Sequence, residues 1–152
     1  MIENSPKTRS VKPSDPSDVA MLKYMIDTNI AIYTLKNRPE KVRAAFKKHT
    51  GEMCMSCVSM GELIYGAEKS SRVEHNLSII EGLAARLKIA SYDMKAAMHF
   101  GQIRAELARS GDLIGPYDLM IAGHARALGM ILVTNNRREF DRVSGLRVEN
   151  WA

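Results

Sequence analysis

Met130-Ile131-Leu132-Val133-Thr134-Asn135-Asn136 is the stretch on which the fold turns. Four apolar residues, two of them β-branched, are too few for a helix and stop abruptly at polar ones. That is the pattern of a short strand covered on both faces. Just upstream, Gly115-Pro116 opens a helix running to Leu128, with Gly129 as its stop. Before that, Asp93 caps a long helix whose apolar stripe is Ala96, Phe100, Ile103 and Leu107, ended by Gly111. Met21–Ile26 reads as another buried strand, closed by Asp27-Thr28-Asn29. Met53–Val58 and Leu87–Ala90 read the same way, and Leu146–Val148 adds a last strand. Between them, Pro39 suits a helix start with Val42, Ala45 and Phe46 on one face. Ser59 with Glu62 has capping-box form and opens a helix to about Lys69; Leu77, Ile80, Ala84 and Leu87 mark the next helix. Strands alternating with helices need crossover connections. The expected fold is therefore α/β: a three-layer α/β/α domain around a mainly parallel sheet of four to five strands.

Composition agrees with one soluble domain. The chain has 152 residues, 45% hydrophobic and 26% charged, so wholesale disorder is excluded. No apolar run approaches the roughly 20 residues a bilayer crossing needs. Twenty-two basic residues against 17 acidic ones give +5, which favours a polyanionic partner such as nucleic acid. Residues 1–20, rich in proline and serine with no aromatic, read as a disordered tail, and Met21 as an alternative start. Two cysteines make no disulfide framework, so a reducing cytoplasm is the expected compartment.

A parallel sheet places its ligands beyond the carboxyl ends of its strands. Asp27 directly follows the first strand, and Glu62 falls in the first turn of the helix after the second. Asp118 falls in the first turn of the helix before Met130–Val133, and Asn136 follows that strand. Each has a plainer explanation: a strand stop, a capping box, a helix-dipole partner, a loop amide. Those explanations do not account for all four meeting at one edge. An oxygen-only cluster suits Mg²⁺ or Mn²⁺, hard ions held by carboxylates and water.

These residues also carry a family resemblance. Met25-Ile26-Asp27-Thr28-Asn29-Ile30, Ser59-Met60-Gly61-Glu62-Leu63-Ile64-Tyr65-Gly66, Pro116-Tyr117-Asp118-Leu119-Met120-Ile121-Ala122 and Val133-Thr134-Asn135-Asn136 resemble the four ordered motifs of PIN-domain ribonucleases. Gly101–Ala108 and Leu146–Trp151 are similar to VapC, the toxin of VapBC toxin–antitoxin pairs. The likeness spans Met21 to Trp151, so residues 21–152 are the expected nuclease domain. It implies an Mg²⁺- or Mn²⁺-dependent endoribonuclease cutting structured RNA, with tRNA, and the initiator tRNA anticodon stem-loop in particular, as substrate. It also implies a VapB antitoxin occluding the acidic cleft and a homodimer of the toxin.

By the same resemblance, Asp27 and Asp118 are the principal metal ligands, and Glu62 holds a second ion or takes the proton of the attacking water. Thr28, Thr134 and Asn136 position water or ligands. Many members carry an acid where this chain has Asn136, and Glu139 is near enough to replace it. Arg104, Arg109, Arg126, Arg137 and Arg138 are candidate contacts to the RNA backbone. The Cys54/Cys57 pair has CxxC spacing but no partner pair for zinc; falling inside a strand, it is expected to be buried and inert. The four histidines are expected to be exposed or partly buried. Two rival readings stay open: a PIN-like module that binds RNA or protein without cutting, and a phosphotransfer domain with an aspartate nucleophile. The second normally needs a lysine at a later strand end, where Asn135-Asn136 stands.

Overall fold

The computed structural model describes residues 21–37 and 40–152. Pro39 and the tail at residues 1–20 lie outside them. Strand β1 (Tyr24–Ile26) leads into helices α1 (Thr28–Asn37) and α2 (Glu40–Lys48), then β2 (Met53–Ser56). Helices α3 (Cys57–Glu68) and α4 (Val73–Ala84) connect to β3 (Lys88–Ala90). Helices α5 (Met94–Ser110) and α6 (Pro116–Ala127) lead back to β4 (Ile131–Val133), and α7 (Arg137–Phe140) to β5 (Val148–Glu149). The sheet has five strands in the order β3-β2-β1-β4-β5, every neighbouring pair parallel.

The expected three layers follow from alternation along each strand. Met25, Cys54 and Leu132 face one core, shared with Ile103 and Leu107 of α5 and Ile121 and Ala125 of α6. Ile26, Met55 and Val133 face the other, with Ile30 of α1, Leu63 of α3 and Ile80 of α4. Both faces are covered, which is why these strands read as continuous apolar runs rather than alternating ones. α5 and α6 approach very closely. A Cβ added at Gly123 would lie 2.7 Å from the Phe100 backbone nitrogen.

Three local expectations are corrected. First, Thr28–Asn37 is a helix, not merely a polar stop after the strand. Ile30, Ala31, Thr34 and Leu35 are spaced for it, but the polar Asp27-Thr28-Asn29 masks its start. Second, β2 ends at Ser56, whose hydroxyl accepts from the Val58 amide and caps α3. The helix therefore starts before Ser59, which is a buried helical residue and not the cap. Glu62 consequently sits in the second turn, where the helix dipole offers it little. Third, Cys57 opens α3 and is exposed, while only Cys54 is in the strand and buried. Burial pushes the Cys54 thiol up to about 12, so it is inert.

Candidate functional site

The direction of chain progression reverses between β1 and β4. From β1 the chain moves outward through β2 to β3, then crosses back to lay β4 on the other side of β1. Carboxyl ends of neighbouring strands diverge at such a switch point and leave a crevice. Asp27 ends β1 there, its amide donating to the Val133 carbonyl of β4. Thr134, the residue after β4, donates its hydroxyl to Asp27 Oδ2 at 2.8 Å. The Asn136 amide in turn donates to Thr134 Oγ1 at 3.0 Å. Asp27 is 1% exposed, and its other oxygen, Oδ1, has no hydrogen-bond partner. A buried carboxylate oxygen left unpaired costs stability, and such atoms require an explanation.

The other acids gather around it. Thr28, first residue of α1, donates its hydroxyl to Glu62 Oε1 at 2.9 Å, across 34 positions of sequence. That bond, not a capping box, is what orients Glu62. Asp118 sits in the first turn of α6, with Oδ2 3.7 Å from where a Cβ on Gly115 would stand. Burial, first, raises the Asp118 carboxyl to about 7; a hydrogen bond with Glu139 and the charges of Asp27, Glu139 and Glu62 add to it. Asp27 is raised to about 6, again mainly by burial, with Glu62 and Glu139 pushing the same way against hydrogen bonds from the Thr134 hydroxyl and the Thr28 backbone. A helix N-terminus alone would lower the Asp118 value, so desolvation and acid crowding win.

The structure thus brings Asp27, Glu62 and Asp118 together. Asn136 differs: its tie to the cluster is its backbone N–H, and among the described residues its side chain enters no hydrogen bond. The fourth carboxylate is Glu139, swung in by the short helix α7 that begins after Asn136. An Asn with Glu three residues later is itself a helix-start pattern, and read so it would have placed Glu139.

The donor set is oxygen only, and the unpaired Asp27 Oδ1 supplies a lone pair with nothing to accept. These residues fit a hard divalent cation. Among the described residues no three His, Cys, Asp or Glu side chains close into a ready-made metal cage. Like charges with no cation between them keep their distance.

Of the arginines expected to face RNA, two are engaged elsewhere. Arg126 donates to His99 Nδ1, the Ser144 carbonyl and Gln102 Oε1, fastening α6 to α5 and to the loop after α7. Arg137 pairs with Asp141 at 3.5 Å. Arg104, Arg109 and Arg138 remain exposed. His124, expected near the surface, is 1% exposed, its Nδ1 2.8 Å from Ser56 Oγ.

The sequence profile described as PIN domain matches residues 24–146. A Shigella flexneri protein, "tRNA(fMet)-specific endonuclease VapC", is 59% identical over 132 residues, covering 87% of this chain and 100% of that protein. The chain belongs to the VapC branch of the PIN-domain family. "Ribonuclease VapC2" of Haemophilus influenzae is 53% identical over 131 residues, 86% of this chain and 99% of that one. Among solved structures, the DNA-bound VapBC of Salmonella typhimurium is similar at a TM-score of 0.85 and 55% identity, over 87% of this chain and 100% of that one. VapBC2 of Rickettsia felis follows at 0.83 and 35%, over 86% and 100%. All four acids described above lie within the matched PIN span. No helix among the described residues is long and apolar enough to cross a membrane.

Proposed function

We propose that this chain is a divalent-cation-dependent endoribonuclease of structured RNA and the toxin half of a toxin–antitoxin pair. The observation that carries the reading is the buried, unpaired Asp27 Oδ1 at the switch point, close to Asp118, which is raised by burial and by its acidic neighbours, and to Glu62 and Glu139. Such a cluster is costly to keep and useful only if a cation joins it. The names of the VapC relatives support the ribonuclease assignment and make tRNA, initiator tRNA first, the substrate to test.

Asp27 and Asp118 are the residues that would hold Mg²⁺ or Mn²⁺, and Glu139 beside Asp118 would complete the set. A bound divalent ion supplies positive charge against the scissile phosphate and acidifies water. Thr134 fixes the Asp27 carboxylate by occupying Oδ2, which leaves Oδ1 free to accept a cation. Thr28 fixes Glu62 through Oε1, leaving Oε2 to accept the proton of the attacking water. That water's oxygen bonds to phosphorus as the bond from phosphorus to the 3′ oxygen breaks. The leaving oxygen takes a proton from solvent, giving 5′-phosphate and 3′-hydroxyl ends. Asn136 acts through its backbone, steadying the Thr134 hydroxyl.

The related VapBC structures are complexes with an antitoxin. In this chain an apolar groove of about 390 Å³ runs between α1, α3 and α4, lined by Ile32, Leu35, Leu63 and Ile80, with Glu62 on its wall. It offers a VapB segment a seat from which a cationic side chain reaches the acids in place of the metal. Toxin action in the cytoplasm as a homodimer completes the proposal. Purified protein incubated with tRNA should cut it in Mg²⁺, and not in EDTA or as Asp27→Ala. RNA binding without cleavage in Mg²⁺ would favour the non-catalytic module instead.

A further inference from the structure

We propose that the solvent face of α2 is the surface that grips the RNA backbone. This rests on the reading of RNA as substrate. Four carboxylates at the cleavage site repel a phosphodiester, so affinity for a polyanion must come from cations elsewhere on the molecule. Four of the eight arginines of the C-terminal half are committed. Arg126 makes its three bonds, Arg142 reaches the Asp112 and Leu113 carbonyls, Arg147 reaches the Gly129 carbonyl, and Arg137 pairs with Asp141.

Helix α2 is different. Its sequence, Glu40 to Lys48, holds Lys41, Arg43, Lys47 and Lys48 against one acid. That is +3 in nine residues, in a chain whose total is +5. At about 100° per residue the four cations fall within an arc of roughly 160°. All four are exposed, and among the described residues none pairs with a carboxylate. The opposite face is anchored: Val42 is fully buried, and Phe46 meets Trp151 edge-on at 6.0 Å. The charges are therefore carried on a fixed platform.

The platform follows the site along the chain, joined to it through α1. α1 starts at Thr28, beside Asp27 and bonded to Glu62, and ends in a turn carrying Lys36, which lines the same groove as Glu62. α2 follows two residues later. Its cations lie on a different element from the acids, so they hold phosphates other than the scissile one. Folded RNA, which presents several phosphates at once, gains most from such a grip. This gives a physical source for a preference for structured substrates.

The test reads binding, in EDTA, where nothing is cut. Labelled anticodon stem-loop RNA is titrated with wild type and with the variant K41Q/R43Q/K47Q/K48Q across about 50 to 200 mM salt. Glutamine keeps helix propensity close to that of lysine and arginine, and circular dichroism confirms the fold. A control set, K69Q/R72Q/R86Q/K95Q, removes four exposed cations from other elements. The α2 variant should bind at least tenfold more weakly, its slope of log Kd against log salt shallower by about 2 to 4, and the control by less than about 1. An unchanged slope, or equal flattening by both sets, overturns the proposal. If wild type binds steeply but never cuts in Mg²⁺, the nuclease reading fails and the α2 surface stands.

Discussion

Two polar clusters lie along the carboxyl edge of the same sheet, and they handle buried charge in opposite ways. At the β1/β4 end, Asp27, Asp118, Glu62 and Glu139 are acids crowded together, with the carboxyls of Asp27 and Asp118 pushed up to about 6 and about 7. At the β2/β3 end, Ser56 and His124 are joined at 2.8 Å, with Tyr92 set edge-on to the imidazole at 5.3 Å. Burial pushes His124 down from its ordinary value, so the ring is neutral. Asp27 Oδ1 has no hydrogen-bond partner, whereas the His124 ring is also held toward the Ser91 backbone. The decisive difference is access. Ser56 and His124 are 0% and 1% exposed, whereas Glu62, Asp118 and Glu139 are only half-buried. A sealed neutral pair is a brace between α6 and β2. An open cluster of like charges has the chemistry of a cation receptor.

That contrast can be broken most forcefully at Asp27. Asp27→Ala should lower RNA cleavage by about a thousandfold or more while the protein stays folded, measured as single-turnover rates in Mg²⁺. Activity within tenfold of wild type would make the acid cluster as passive as the histidine one. Next, Glu139→Gln should cost about 10- to 100-fold in cleavage or apparent Mg²⁺ affinity, but Asn136→Ala at most about threefold. The reverse ranking would return the fourth position to Asn136.

The brace should fail differently. His124→Ala leaves a cavity and removes the imidazole partner of the Ser56 hydroxyl, costing about 2–4 kcal/mol and roughly 10 °C in Tm. Cleavage per folded molecule should stay near that of wild type. A rate collapse with unchanged Tm would place His124 in the chemistry.

The smallest effect is on pH dependence, and its sign differs between the clusters. Asp27 and Asp118 bind protons more tightly folded than unfolded, at about 6 and about 7 against 3.8. Their favourable contribution is complete below about pH 4 and is lost as pH rises through about 7, so metal-free protein loses stability over that range. His124 binds protons less tightly folded, so its contribution is present above 6.5 and lost as pH falls below it. Melting curves in EDTA should therefore show Asp118→Asn flattening the loss on the alkaline side and His124→Gln flattening it on the acid side.

What the sequence disclosed follows the same physics. Central strands buried on both faces are apolar runs, so β1, β2 and β4 were legible from Met25-Ile26, Cys54-Met55 and Leu132-Val133. The edge strands β3 and β5, with exposed Lys88 and Glu149, were legible only from their short apolar pieces. Parallel topology then assigned Asp27, Glu62 and Asp118 to one edge. Helix starts were harder. The α1 start was hidden because Thr28 spends its hydroxyl on Glu62. The α3 start was misplaced because Ser56, the last residue of the strand, does the capping that Ser59-x-x-Glu62 advertises. Glu139 came second to Asn136 because only the short α7 turns it toward Asp118. The arginine contacts, such as Arg126 to His99, depend on tertiary neighbours that no local pattern encodes.

The central claim, that crowded acids await a cation, is tested most directly by the melting temperature of Asp118→Asn against wild type, in EDTA and in saturating Mg²⁺ at pH 8. Asparagine keeps the shape and removes one repelling charge. In EDTA the variant should melt higher than wild type by a few degrees. In Mg²⁺ the order should narrow or reverse, because the ion stabilises the wild-type fold by RT ln(1 + [L]/Kd). A variant that melts lower by the same amount in both buffers, and still cuts RNA at the wild-type rate, would contradict the account.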